Sequence, residues 1–366
     1  MDVRRRHYLI PSLVAALTVA ISAAAAGHVA MAAAAGGGEF PGAGNLIVSD
    51  QFNNRAVEIN PETRKIVWSF GSGNPTLCNP GPGSIIGLND AERLADGFTL
   101  LAGTGIPQGA SPVAPSNFSC VDNRVIVVDR KGTIVWQYGQ AGMTGSGANL
   151  LNVPVFAIQL PNRNIMIVDQ GNNRVIEVGR FSKTIVWSYG PTSGPGALNN
   201  PNSAELLANG HVLIADENNN RVIEITRSGH IVWQYGSGNP SITQPLMGAA
   251  FASRLPNGHT LITDSGHSRI VEIDKDKHVV WQYFTNKAKN SNSSPLPTNA
   301  VRLADGDTSI ADQFNHRVLI VDAEKNAEFQ YGQTNVPGNG SGQLDGPYTS
   351  FVVGDFTGQT PPPDDF

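Results

Sequence analysis

Between Leu207 and Gly236 the chain alternates short apolar runs with polar turns: HVLIAD, then ENNN, then RVIEI, then a charged turn, then HIVWQYG. The runs are rich in Val, Ile, Trp and Tyr and bounded by Asn, Gly and Ser, the pattern of antiparallel strands joined by tight turns. One such unit cannot bury both of its faces, so it predicts neighbours of its own kind.

The neighbours are present. Asp169, Asp216, Asp264 and Asp312 recur about 48 residues apart, the spacing of a propeller or solenoid. Arg174, Arg221, Arg269 and Arg317 each follow five residues later, and Trp187, Trp233, Trp281 and Phe329 come further on. Asp50, Arg55 and Trp68 open the series. A sixth copy begins near Leu94, is interrupted by an insertion at 104–119, and resumes towards Trp136; Gly103 stands where Asp is expected, which leaves Arg124 without the usual partner.

Each repeat reads as strands a to d. The first copy lacks strand a, and the missing strand appears as SFVVGDF at 350–356. The fold class expected is therefore all-β: a six-bladed β-propeller of four-stranded blades, closed by a blade shared between the N- and C-terminal ends. Such closure removes exposed sheet edges. The propeller is expected over 44–356, with a Pro/Asp tail at 357–366. Strand alternation puts the a–b and c–d turns on one face and the b–c turns and d–a connections on the other. All long connections fall on the second face, the one to search for function.

Forty Gly, 24 Pro and 15% charged residues suit a turn-rich β protein. Arg4-Arg5-Arg6 followed by an apolar run reads as a signal peptide over 1–32, with a Gly/Ala-rich spacer at 33–43. RRRHYLI also resembles a twin-arginine export signal; an ordinary signal whose arginines are only its positive end is the alternative. Loss of 1–32 removes three Arg and one Asp, moving the formal charge from −5 to −7. An acidic body without a Lys/Arg cluster excludes nucleic acid as partner, and no stable membrane insertion is expected after cleavage. The chain is expected to be exported: periplasmic, cell-surface or extracellular. Cys78 and Cys120 fall on the long-loop face of adjoining blades and are expected to form a disulfide pinning the insertion.

The pattern D-x-x-N-x-R-V, as in DQGNNRVIEV, DENNNRVIEI and DQFNHRVLIV, resembles the NHL repeat over nearly the whole mature chain. The strand-d ending, as in KIVWSFG, is similar to the tryptophan repeat of quinoprotein propellers, and bacterial arylsulfotransferases carry similar repeats on a six-bladed frame. These resemblances imply a fold; the activities they bring range over lyases, lactonase-like hydrolases, sulfotransferases and plain binding scaffolds.

The recurring Asp/Arg pairs read as architecture, because a catalytic site needs each role once. The Trp series reads as packing between blades. His211, His230, His259 and His278 start strands on the short-loop face and read as surface residues. His267 and His316 replace turn residues on the long-loop face: either they stand in for Asn, or they form a metal-binding or acid–base pair at the channel mouth. Strand a carries one small residue in every repeat (Ala91, Ala157, Ala204, Ala252, Ala300, Ser350), as close approach at an axis requires. Its start is polar and varied: Asn89-Asp90, Asn202-Ser203, Thr298-Asn299, Tyr348-Thr349. Unlike polar groups converging on one mouth describe a binding site, solvated loop ends being the alternative. Glu92 and Glu205 lie further down the same strands. A divalent metal, zinc or calcium, is a candidate cofactor, held by His267, His316 and Asp90 or by oxygens of Asn89, Asp90, Asn202 and Asn299. An arylsulfotransferase-like site would need Arg93, Arg254 and Arg302 to converge on the channel. The expected function is a binding scaffold recognising a small molecule or protein at the long-loop face, with a channel-mouth enzyme as the alternative.

Overall fold

The computed structural model describes residues 44–108, 119–237 and 245–357. The expected signal and spacer, most of the tail and the centre of the insertion lie outside these residues.

Six four-stranded antiparallel sheets form the ring. Blade 1 takes strand a from Pro347–Val352 and strands b, c and d from Leu46–Asp50, Arg55–Asn60 and Lys65–Gly71, so the expected shared blade is present. Blade 2 comprises Leu88–Arg93, Thr99–Ile106, Cys120–Val128 and Ile134–Tyr138. Blade 3 comprises Pro154–Gln159, Ile165–Asp169, Arg174–Val178 and Ile185–Tyr189. Blade 4 comprises Pro201–Leu206, Val212–Asp216, Arg221–Ile225 and Ile231–Gly236. Blade 5 comprises Ala249–Arg254, Thr260–Asp264, Arg269–Ile273 and Val279–Phe284. Blade 6 comprises Asn299–Arg302, Thr308–Asp312, Arg317–Val321 and Ala327–Gly332. Strands b and c are buried on both sides and carry the Val/Ile core between blades, while strands a of successive blades touch one another around the axis.

The b–c turn is built the same way in five blades. Asp ends strand b, three residues form a 3-10 turn, and a residue with φ near +50° hands over to Arg at the start of strand c: Asn54, Asn173, Asn220, Ser268 or His316. Asn tolerates this left-handed conformation, which explains its recurrence. The Arg Nε donates to the Asp carboxylate at 2.7–2.8 Å in all five. Strand d must end where its backbone meets the carbonyl of the left-handed residue. A Cβ on Gly71 or Gly236 would lie 2.3 Å from that oxygen, so glycine is required there.

Blade 2 corrects one expectation. Arg124 does have a partner, Asp122, two residues before it on the same strand, with Nε to Oδ1 at 2.5 Å and Nη2 to Oδ2 at 3.1 Å. A side chain on Gly103 would collide with that carboxyl, 2.9 Å from a Cβ. The carboxylate has been supplied from strand c, and glycine on strand b makes room for it.

The seams between blades use the other repeated residues. Nε1–H of Trp68, Trp136, Trp187 and Trp281 donates at 2.8–3.0 Å to a carbonyl in the c–d turn of the next blade. Arg93, Arg180, Arg227, Arg254 and Arg302 of the next blade stack on the five Trp rings. Arg93, Arg254 and Arg302 also pair with Glu58, Glu224 and Glu272 of the preceding blade. They are clamps at the short-loop side of the seams and do not converge on the channel, which removes the set an arylsulfotransferase-like site required. Cys78 and Cys120 are joined, as expected. The disulfide packs with Phe52, Ile86, Ile106, Leu77 and Phe314 in a small apolar cluster on the long-loop face.

Candidate functional site

Strand a begins with an irregularity: pairing to strand b slips between its first and third residues in blades 2 to 5, and between its first and fourth in blade 1. The second and third residues therefore have different destinations.

Third-position side chains stitch blades together. Thr349 accepts from Ala91 N at 3.2 Å, Asp90 from Ala157 N at 3.0 Å and Ser203 from Ala252 N at 3.2 Å, and Asn299, which opens the shorter strand a of blade 6, accepts from Ser350 N at 3.2 Å, each across a seam. In blades 3 and 5 this position holds Phe156 and Phe251. They meet edge to face at 5.5 Å, and Phe351 of blade 1 joins them at 6.5 Å. Side chains from three non-adjacent blades meet only across the axis, so these rings close the channel part-way down. Asp90 is buried in its wall and Glu205 half-buried there, neither of them in a salt bridge. Burial pushes the Asp90 carboxyl up to about 7 and that of Glu205 up to about 8, against the opposing backbone bonds from Ala157 and Arg254. Burial, with the charge of Asp90 second, raises Glu92 well above the carboxylate range.

Second-position side chains cross the mouth. The Tyr348 hydroxyl of blade 1 donates to Asn202 Oδ1 at 3.0 Å and accepts from its Nδ2 at 2.8 Å, spanning opposite blades. Asn202 Nδ2 also donates to Glu217 Oε2 at 2.9 Å, and Gln170 Nε2 approaches the same oxygen at 3.5 Å. On the other side, Gln313 donates to Gln51 at 2.7 Å and Gln51 to Asn89 Oδ1 at 2.8 Å. The result is a polar belt drawn from blades 1, 2, 3, 4 and 6.

Four of its members, Gln51, Gln170, Glu217 and Gln313, were not singled out in the sequence. All are the first residue of a b–c turn, the one position there that varies in charge between repeats; Ser265 completes the set in blade 5. Burial pushes the Glu217 carboxyl up to about 7, against the bond from Asn202. Burial and the Glu217 charge hold the Tyr348 phenol far above its usual range.

His267 and His316 are not brought together. His267 takes the place of the turn Asn, and its Nδ1 lies 2.9 Å from Asp264 Oδ2, the contact that Asn53, Asn172, Asn219 and Asn315 make in other blades. His316 takes the left-handed position one residue later; its Nδ1 accepts from Gly346 N at 3.1 Å, as Asn54 Oδ1 accepts from Gly87 N at 2.8 Å. The same Nδ1 lies 3.2 Å from Asp345 Oδ1. The oxygens considered for calcium are engaged as well: Asn89 by Gln51, Asn202 by Tyr348, Asn299 by Ser350 N, and Asp90 Oδ2 by Ala157 N. Among the described residues, the groups close enough to share one ion are Asp274, Asp276 and His278, on the c–d turn of blade 5 at the short-loop face.

Fold and mouth together define a six-bladed propeller with repeated seams and a non-repeating polar belt over a closed channel. The chain belongs to the family described as outer membrane protein assembly factor BamB, whose model matches residues 121–343. No curated protein matches it. It is similar in structure to a protein of unknown function from Bacteroides caccae, with a TM-score of 0.54 and 14% identity over 79% of this chain and 93% of that one. A virginiamycin B lyase from Staphylococcus aureus aligns with a TM-score of 0.49 and 15% identity over 78% and 84%. At these identities the likeness is one of fold.

Proposed function

We propose that this protein is an exported propeller scaffold that recognises its ligand or partner at the channel mouth of the long-loop face. The observation that carries the reading is the belt of Tyr348, Asn202, Glu217, Gln170, Gln51, Gln313 and Asn89. These unlike side chains converge from five blades of a ring that otherwise repeats itself. The dispersal of His267, His316, Asp90 and Asn299 to separate seams supports a scaffold over a metal enzyme. The family's description as an assembly factor supports a partner-binding role. The disulfide and the arginine-led apolar segment at 1–32 support export. The D-x-x-N-x-R-V turns belong to the frame and say nothing of the ligand.

A glycan and peptide array probed with three proteins tests this reading: wild type, Asn202→Ala/Tyr348→Ala at the mouth, and Phe181→Ala on the opposite face. The expected result is hits that the mouth variant loses and the Phe181 variant keeps. Hits indifferent to the mouth variant overturn it. The competing reading, a propeller lyase or hydrolase, has Glu217 in its favour, since a carboxyl raised to about 7 exchanges a proton near neutrality. Chemical turnover of an array hit, abolished by Glu217→Gln, would select that reading.

A further inference from the structure

On strands b and c of this ring, every carboxylate is provided with an arginine. The six b–c carboxylates, Asp50, Asp122, Asp169, Asp216, Asp264 and Asp312, each pair with an Arg. The strand-c carboxylates Glu58, Glu177, Glu224 and Glu272 do the same. On strands a to c and in the b–c turns of the described residues, the carboxylates outside any salt bridge are Asp90, Glu92 and Glu205 in the channel wall, and Glu217. Asp90 and Glu205 are committed to backbone N–H groups across seams.

Glu217 differs from all of these. It is half-buried at the mouth, beside the exposed Asn218. At the same turn position the other regular blades carry Gln51, Gln170, Gln313 and Ser265, none of them charged. Its hydrogen-bond partners are neutral: Asn202 Nδ2 from its own blade and, at 3.5 Å, Gln170 Nε2 from blade 3. Tyr348, reaching across from blade 1, is a titratable group close enough to feel its charge. No Lys, Arg or His pairs with it among the described residues.

The surroundings are asymmetric. Around Glu217 the second turn residues are small or polar: Gly171, Asn218 and Gly266. Across the mouth the same position holds Phe52 and Phe314, stacked at 6.3 Å and backed by Ile86, Ile106 and the disulfide. The mouth thus has an anionic, open side and an apolar, built-up side.

The geometry points to a ligand that docks a cationic group, an ammonium or guanidinium, against Glu217 and lays an apolar part towards Phe52 and Phe314. This rests on the mouth being the recognition site. The bound cation takes the role that Arg has at the six b–c carboxylates, with Asn202 holding the carboxylate oriented towards it. A charge-assisted bond of this kind favours the cation over its neutral isostere by about tenfold or more.

The test uses phenethylamine and benzamidine as cationic probes, with phenethyl alcohol and benzamide as neutral counterparts. Binding is followed by protein-observed NMR on wild type and Glu217→Gln. Gln stands at this position in three other blades, so the variant keeps a side chain the turn accepts. Wild type at pH 8 is expected to prefer the cations about tenfold. The preference should vanish in Glu217→Gln, and in wild type at pH 5.5, where the carboxyl is protonated. Equal binding of cations and neutrals, a preference that survives Glu217→Gln, or no binding of either pair overturns the inference. An array hit lost in Asn202→Ala/Tyr348→Ala but unchanged in Glu217→Gln would overturn this inference alone and leave the mouth as the recognition site. Hits indifferent to both variants would remove the mouth reading itself.

Discussion

Asp216 and Glu217 are adjacent acids in one turn with opposite roles. The Asp216 side chain turns into the blade and accepts from Asn199 N at 2.8 Å, Asn219 Nδ2 at 2.8 Å and Arg221 Nε at 2.7 Å, the same set that Asp169 serves in blade 3. Glu217 turns out to the mouth and has no acidic counterpart in any other regular blade. In a repeat protein, what recurs is what holds the ring, and what differs at a shared position is where a specific function can reside.

The largest test of the recurring part is removal of strand a from blade 1. Truncating 346–366 strips the inner strand that closes the ring and exposes an edge at Leu46–Asp50; size-exclusion chromatography should show aggregate in place of monomer. Next comes the comparison of neighbours. Asp216→Ala leaves Arg221 buried without its partner and should lower unfolding free energy by about 3–5 kcal/mol. Glu217→Gln should cost no more than about 0.5 kcal/mol, both read from urea unfolding. Similar losses for the two would erase the distinction between frame and mouth.

A third test uses pH. The folded-state carboxyls of Asp90, Glu205 and Glu217 stand at about 7, 8 and 7, above their ordinary values. Folded protein therefore binds more protons than unfolded chain over this window. Their stabilising contribution is complete below the ordinary carboxylate range and is lost as pH rises through 7 and 8. Tm should fall from about pH 5 to pH 8, and Glu205→Gln should flatten the slope while keeping an acceptor for Arg254 N. A Tm that rises over this range would contradict the burial argument.

The smallest effect is a gain. At five seams the left-handed turn residue accepts the N–H of the residue just before strand a of the next blade: Asn54 from Gly87, Asn123 from Val153, Asn173 from Asn200, Asn220 from Gly248, and His316 from Gly346. At the seam from blade 5 to blade 6 the residue is Ser268, and the corresponding N–H belongs to Leu296, itself at φ 48° like its counterparts. Ser268→Asn should supply the missing acceptor and add about 1 kcal/mol, seen as a higher Tm.

The frame was legible because it repeats. The period, the Asp/Arg spacing and the displaced strand a are one-dimensional signals, and each copy reinforces the others. The mouth was legible only in part. Asn89, Asn202 and Tyr348 were found as polar variation in strand a. Asp90, Ser203 and Asn299 share that appearance; the slip at the start of the strand sends Asp90 and Ser203 into the seams, and Asn299 reaches a seam from the unslipped strand of blade 6. Tyr348 and Asn202 are 146 residues apart and meet because blades 1 and 4 are opposite, a relation fixed by ring geometry. Glu217 was hidden in the run ENNN, where an acid reads as one more turn residue. Asp122 escaped because the carboxylate moved to a different strand while keeping its place in space.

The five bonds from left-handed turn residues all run in one rotational sense: every blade but the fifth presents a socket to the next, and each offers a plug to the one before. Such a head-to-tail interface is indifferent to how many units are joined, and an open string always ends with one empty socket and one idle plug. Only a closed circle leaves none over. The number of blades is therefore set by the angle at which each wedge meets its neighbour, and a tandem duplication of one repeat would satisfy every local bond yet fail to shut.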